Sequence, residues 1–170
     1  MPIQRLNHAV LYVRDVEVSG AFYRDVLGFR TVMEVPGRAV FLQAAGSTND
    51  HDLGLFAVGA RAGDSPAGQT TVGLYHLAWE VDTLTELGRV AERLTTAGAL
   101  VGSSDHGTTK ALYAKDPNGI EFEVCWLVPA DRLTDDMHST PRQELDIEAE
   151  IARFGADTRG GVGVSTPALA

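Results

Sequence analysis

Between Asp105 and Glu123, in the run DHGTTKALYAKDPNGIEFE, an imidazole (His106), a phenol (Tyr113) and a carboxylate (Glu123) are arranged around the tetrad Asp116-Pro117-Asn118-Gly119. An imidazole with a reference pKa near ~6.5 exchanges protons at neutral pH, a phenol donates to a developing oxyanion, and a carboxylate holds a cation. The tetrad favours a tight turn, so Ala111-Leu112-Tyr113-Ala114 and Ile120-Glu121-Phe122-Glu123-Val124 read as the two arms of a hairpin. Along the second arm Glu121 and Glu123 alternate with apolar residues, which sends both acids to one side of a sheet. That side is either wet or occupied by a cation. Two further histidines, His8 and His76, occupy matching places in a pair of similar segments, LNHAVLYVRD from Leu6 and LYHLAWEVDT from Leu74.

These segments define the elements that position the reactive groups. Each begins as an apolar strand with an early histidine and ends in an aspartate, Asp15 or Asp82, suited to cap the helix that follows. Val16 to Leu27 and Leu84 to Ala97 carry apolar residues near helical spacing and are closed by Gly28 and Gly98. Short strand-like runs follow: Arg30 to Val35, Arg38 to Ala44 and Asp52 to Val58 in the first half, then Leu100 to Gly102, Thr109 to Lys115 and Ile120 to Leu127 in the second. The spacing predicts a βαβββ unit, twice. Gly59 to Gly73, rich in Gly, Ala, Ser and Pro, reads as a surface linker. Beyond Pro129 the pattern stops; Leu145, Ile147, Ile151 and Phe154 mark a helix from Pro141 to Phe154 that docks on its own domain or on a second subunit, and the Gly-rich end from Gly155 reads as disordered.

Composition bounds the function. The chain has 170 residues, 44% of them hydrophobic, and a formal net charge of −9, with two lysines among its 14 bases. An acidic surface repels phosphate backbones, which argues against nucleic acid as a partner. Cys125 is the one cysteine, so no internal disulfide forms; its apolar strand-end setting reads as a buried, inert thiol, and a reducing cytoplasm is the expected compartment. Met-Pro-Ile-Gln-Arg has no signal-peptide apolar region, and no apolar run reaches membrane-spanning length, so no membrane association is expected.

His106, five residues, Leu112-Tyr113, two residues, Asp116-Pro117-Asn118-Gly119, three residues and Glu123 together resemble the signature of type I extradiol catechol dioxygenases, within the vicinal oxygen chelate superfamily. The resemblance covers about residues 3 to 129. It implies an α+β fold of two paired βαβββ modules, about 1–58 and 74–129, forming a curved mixed sheet around a metal, with 130–170 as a separate tail. Carried over by position, the metal ligands are His8, His76 and Glu123; the matching first-module strand, His51-Asp52-Leu53-Gly54-Leu55-Phe56, has no Glu. Two histidines and one carboxylate make the facial triad of non-haem Fe(II) oxygenases, which leaves adjacent positions open, and Mn(II) suits the same donors. His51 resembles the family's acid/base in its His-Asp-x-x-Leu element, and His106 and Tyr113 match residues that hydrogen-bond the substrate oxygens. The implied partners are a catecholic substrate and O2, in a homo-oligomer. Two departures stand out: Ser104, two residues before His106, where the pattern prefers another small or branched residue, and Val10, where some members carry an Asn facing the bound oxygen.

Against this stands the ordinary reading of a strand histidine as a hydrogen-bonded core residue, and of His138, in the acidic tail, as solvated. Two other functions share the fold: a glyoxalase- or epimerase-type isomerase or lyase, which needs a fourth ligand such as Gln43 or Glu34, and a metal-free binding protein resembling those of bleomycin resistance. The catechol itself is left open among simple catechols, biphenyl-type diols and dihydroxyphenyl amino or carboxylic acids.

Overall fold

The computed structural model describes residues 3 and 5–161. In chain order the first unit contains β1 (Ala9–Val13), α1 (Val16–Asp25), β2 (Arg30–Val35), β3 (Ala39–Gln43) and β4 (Leu53–Ala57). The second contains β5 (His76–Glu80), α2 (Leu84–Thr96), β6 (Leu100–Asp105), β7 (Thr109–Lys115) and β8 (Glu121–Leu127), followed by α3 (Ile147–Phe154). Each unit has its own four-stranded sheet, ordered β1-β4-β3-β2 in one and β5-β8-β7-β6 in the other. The first strand of each pairs in parallel with the last and the remaining pairs are antiparallel, so both sheets are mixed, in the α+β pattern of the twofold βαβββ repeat.

In the first unit Asp15 caps α1 by accepting from the Val18 amide at 3.0 Å. Alternation buries Leu11 and Val13 of β1 with Leu42, Leu53 and Leu55, beside Val16 and Tyr23 of α1. By its contacts the turn Asp116–Ile120 belongs to this unit. The Asp116 carboxylate accepts from the amides of Asn118 (2.7 Å) and Ile120 (2.9 Å), and Gly119 supplies the positive φ of +80° that closes the turn.

The second unit buries Leu84, Leu87, Val90 and Leu94 of α2 beside Phe122, Val124 and Trp126 of β8. Its helix is capped by Thr83, not Asp82: the Thr83 hydroxyl accepts from the Glu86 amide at 3.2 Å, and Thr83-Leu84-Thr85-Glu86 has the spacing of a capping box. Asp82 instead faces Arg159 at 3.6 Å. The strand expected over Leu100 to Gly102 runs on to Asp105 after a register shift between Leu100 and Gly102.

The tail departs most from expectation. α3 begins at Ile147, where Asp146 accepts from the Ala149 amide (3.0 Å), so 141–146 is not helical. Gln143 instead makes a two-bond antiparallel bridge with Asp105, the last residue of β6 (2.9 and 3.0 Å). α3 docks on the second unit of its own chain. Phe154 is buried with its ring centroid 5.4 Å from that of Trp126, and Lys110, fully buried, reaches Asp105 at 2.6 Å and Glu150 at 2.9 Å. Past Gly155 the chain is fixed: Trp126 Nε1 donates to the Thr158 carbonyl (3.2 Å) and the Gly160 amide to the Asp82 carbonyl (2.9 Å). The remainder of the end expected to be disordered, 162–170, lies outside the described residues. Among the described residues no helix is long and apolar enough to cross a membrane.

Candidate metal centre

In the second sheet, register sets which side chains share a face. Glu123 of β8 sits opposite Tyr113 of β7 and Ala78 of β5, two residues on from His76, while Phe122, Val124 and Trp126 turn to the buried side. On the more open face His76 Nε2 lies 3.3 Å from Glu123 Oε2, and the His76 and Tyr113 ring centroids are 6.1 Å apart. The Tyr113 hydroxyl is 2.9 Å from His106 Nε2, and Tyr75 lies over His76 with ring centroids 4.6 Å apart. Four residues singled out by sequence, His76, Glu123, Tyr113 and His106, therefore form one connected band.

Electrostatics along the band are tuned by burial. Partial burial raises the Tyr113 phenol above its usual value, and the neighbouring Glu123 adds to the shift while Arg142 opposes it. The phenol thus stays protonated at neutral pH and is available as a donor. On the same face Cys125 is pushed up to about 12, first by burial and then by Glu123 and Glu80, which agrees with an inert thiol.

The first unit presents His8 and His51. His8 is exposed and directly precedes β1 rather than lying in it. Its Nδ1 is 2.8 Å from the Asn7 side-chain oxygen. A carbonyl oxygen only accepts, so Nδ1 donates in this contact, and in the neutral ring Nε2 is then the nitrogen open to a metal. Asn49 holds this arrangement by donating to the Asn7 carbonyl (2.8 Å) and to Asp52 (2.8 Å). Asp52 also accepts from the Ala44 amide and the Ser47 hydroxyl, both at 2.8 Å, fixing the loop that carries His51. The His51 ring sits 4.5 Å from that of His8 and 5.2 Å, edge-on, from that of Phe41. Asn7, Asn49 and Asp52 were not singled out as functional by sequence; their backbone partners become visible only once the loop is folded.

Among the described residues, no three His, Cys, Asp or Glu side chains are arranged to hold a metal ion. The second unit brings His76 and Glu123 together as a pair. The pair fits a cation in two respects. Two donors each ~2.1 Å from one divalent ion, at a right angle, lie ~3 Å apart, close to the 3.3 Å between His76 Nε2 and Glu123 Oε2. His76 also buries Nδ1 without a hydrogen-bond partner, leaving Nε2 as the nitrogen turned to a polar group. Of the other candidate donors, Glu34 is engaged and Gln43 is engaged only through its amide nitrogen. Glu34 faces Arg24 at 3.6 Å, and Gln43 gives its amide to the carbonyls of Ser47 and Asn49, although its Oε1 is buried without a partner.

A family profile described as the Glyoxalase/Bleomycin resistance protein/Dioxygenase superfamily matches residues 5–124, and the chain belongs to that superfamily. Among curated relatives, a catechol-2,3-dioxygenase of Bacillus subtilis (strain 168) is 36% identical over 119 residues, 70% of this chain and 40% of the relative. A biphenyl-2,3-diol 1,2-dioxygenase 3 of Rhodococcus globerulus is 33% identical over 138 residues, 79% of this chain and 70% of the relative. The chain thus spans less than half the length of the Bacillus protein. Among solved structures, a glyoxylase/bleomycin resistance protein/dioxygenase domain from Frankia sp. EAN1pec superposes with a TM-score of 0.62 at 23% identity, covering 73% of this chain and 92% of that one, a likeness of fold alone.

Proposed function

We propose that the protein is an extradiol dioxygenase that cleaves a catechol ring beside its two hydroxyl-bearing carbons, with His8, His76 and Glu123 holding a divalent iron, for which manganese could substitute. The observation that carries this reading is the band on the second sheet: the His76–Glu123 pair at 3.3 Å lies next to a Tyr113–His106 hydrogen bond of 2.9 Å. A carboxylate and imidazole alone suit many metal enzymes. A neutral phenol tied to a second imidazole beside them suits a substrate that arrives as a diol and gives up a proton. The metal, when bound, would supply the route by which electrons pass from the ring to dioxygen.

The remaining work falls to side chains. Tyr113, held protonated by burial, donates to a substrate oxygen and stabilises the charge left when that oxygen loses its proton. His106 orients the Tyr113 hydroxyl and takes or returns a proton through it. His51, held by the Asp52 network with its ring tilted 4.5 Å from that of His8, would serve as the proton donor during oxygen insertion. In balance, one catechol and one O2 give one ring-opened 2-hydroxymuconic semialdehyde type product, both oxygen atoms being incorporated as the ring C–C bond breaks. Val10, more than half exposed on β1, presents a methyl surface where an amide would offer a donor.

The test is anaerobic loading with Fe(II), then mixing with air and a panel of catechols while following oxygen uptake and the yellow product. His51→Phe is expected to retain iron and lose turnover. Turnover by protein stripped of all metal would refute the proposal.

A further inference from the structure

The tail places a guanidinium on this same band. Arg142 follows Pro141 and precedes Gln143, whose two backbone bonds to Asp105 fasten the segment to the edge of β6. Its Nε donates to the Ser104 hydroxyl at 2.6 Å, and its Cζ lies 5.6 Å from the centroid of the Tyr113 ring, within cation–π reach. Ser104 is buried and pairs in register with Ala111, two residues before Tyr113 on the same face of β7. The residue that departs from the dioxygenase pattern is therefore the one that grips the arginine.

Arg142 is exposed, and among the described residues it has no carboxylate partner and its Nη groups make no hydrogen bond. An exposed arginine ordinarily has several rotamers available, and its fork is spent on a nearby acid or on water. Here one nitrogen is tied to a buried hydroxyl, the guanidinium carbon lies over an aromatic ring, and the two outer nitrogens carry no hydrogen bond among the described residues. The anchor beneath it is firm, since Lys110 joins Asp105 and Glu150 in a buried ion cluster on either side of the segment. In a chain of net charge −9, a fixed and unspent guanidinium beside a diol-binding band supplies local attraction for an anion that the surface as a whole repels.

We infer that Arg142 is a specificity-determining residue, and that the ring-cleavage substrate is a catechol bearing a carboxylate on its side chain. This inference rests on the dioxygenase reading and narrows it. The two Nη groups make a planar fork that matches a carboxylate with two parallel hydrogen bonds, a geometry lysine lacks. Tyr113 beneath the guanidinium takes the diol end, and Arg142 takes the acid end.

The experiment uses the full chain and two pairs of probes: 3,4-dihydroxyphenylacetate and 3,4-dihydroxyphenylpropionate, each against its own methyl ester. Equilibrium binding is measured anaerobically on the iron-loaded protein, and kcat/KM is then measured in air. The expected acid-to-ester preference is roughly 10- to 100-fold for one of the two pairs, the range of a charge-assisted bidentate contact. Arg142→Gln brings that ratio to about one, Arg142→Lys restores part of it, and Ser104→Ala falls between, acting through the arginine. A role confined to holding the tail would lower acid and ester alike and leave the ratio intact.

A ratio near one in the wild type, or one that Arg142→Gln does not change, overturns the inference while ring cleavage of the esters leaves the dioxygenase reading standing. Acid binding that depends on Arg142 but is never followed by oxygen uptake supports the anion subsite and removes the dioxygenase reading. Failure to bind any of the four compounds removes both.

Discussion

Glu150→Ala isolates the charge that fastens the tail. Lys110 Nζ sits 2.6 Å from Asp105 and 2.9 Å from Glu150, and the Lys110 side chain has no exposed surface, while the two carboxylates keep 14% and 12% of theirs. Removing Glu150 leaves a buried ammonium with one partner instead of two. Breaking a buried pair on one side costs ~3 to 5 kcal/mol because the remaining charge is undercompensated; with Asp105 still in place we take the lower end, ~3 kcal/mol, or roughly a 100-fold shift in the unfolding equilibrium. Urea unfolding followed by the fluorescence of buried Trp126, against which Phe154 of α3 packs, reads the loss. The double variant Lys110→Met with Glu150→Leu replaces the cluster by apolar volume and is expected to recover to within ~1 kcal/mol of wild type. A cost below ~1 kcal/mol for Glu150→Ala would mean that water reaches the ammonium, and the buried-cluster argument would be wrong.

Three further outcomes follow from single contacts. Tyr113→Phe removes the hydroxyl that meets His106 and should lower kcat roughly 10- to 100-fold with little change in KM; an equal loss in both would contradict a role in the transition state. Gly107→Ala puts a Cβ at a φ of +77° against the Met137 carbonyl and Thr140, so thermal unfolding should reveal a loss of roughly 2 kcal/mol, and a neutral outcome would displace the 135–139 turn from its place. Cys125, at about 12 instead of 9.0, carries ~10³-fold less thiolate than an unperturbed cysteine at pH 8, and its alkylation rate should rise with pH through the alkaline range without a plateau near 9.

The repeated unit was legible because both of its signals are local. Period-two alternation in segments such as Ile120 to Leu127, helical spacing in Leu84, Leu87, Val90 and Leu94, and the Asp-Pro-Asn-Gly turn each report on a few adjacent residues, and each element lies within a few residues of its expected span. Strand parity also gave the shared face of Glu121 and Glu123, whereas His76, His106 and Tyr113 were assigned to the site through the family resemblance. What was not legible depends on distant partners. Asp82 and Thr83 are both good caps by type, and the choice between them follows from Asp82 receiving the Gly160 amide on its carbonyl and facing Arg159. Pro141 to Asp146 carries helix-compatible residues, yet pairing with Asp105 draws it into an extended bridge, and Asp146 restarts the helix as its cap. Arg142 gave no signal in its own neighbourhood, since its meaning lies in Ser104 and Tyr113.

The claim on which the rest depends is that His8, His76 and Glu123 serve one divalent ion. Iron content per chain after anaerobic reconstitution and desalting, measured for the wild type and for His8→Ala, His76→Ala and Glu123→Ala, tests it most directly. The account predicts about one ion per wild-type chain and loss of that ion in all three variants. Full iron content and undiminished catechol-dependent oxygen uptake in Glu123→Ala would contradict it.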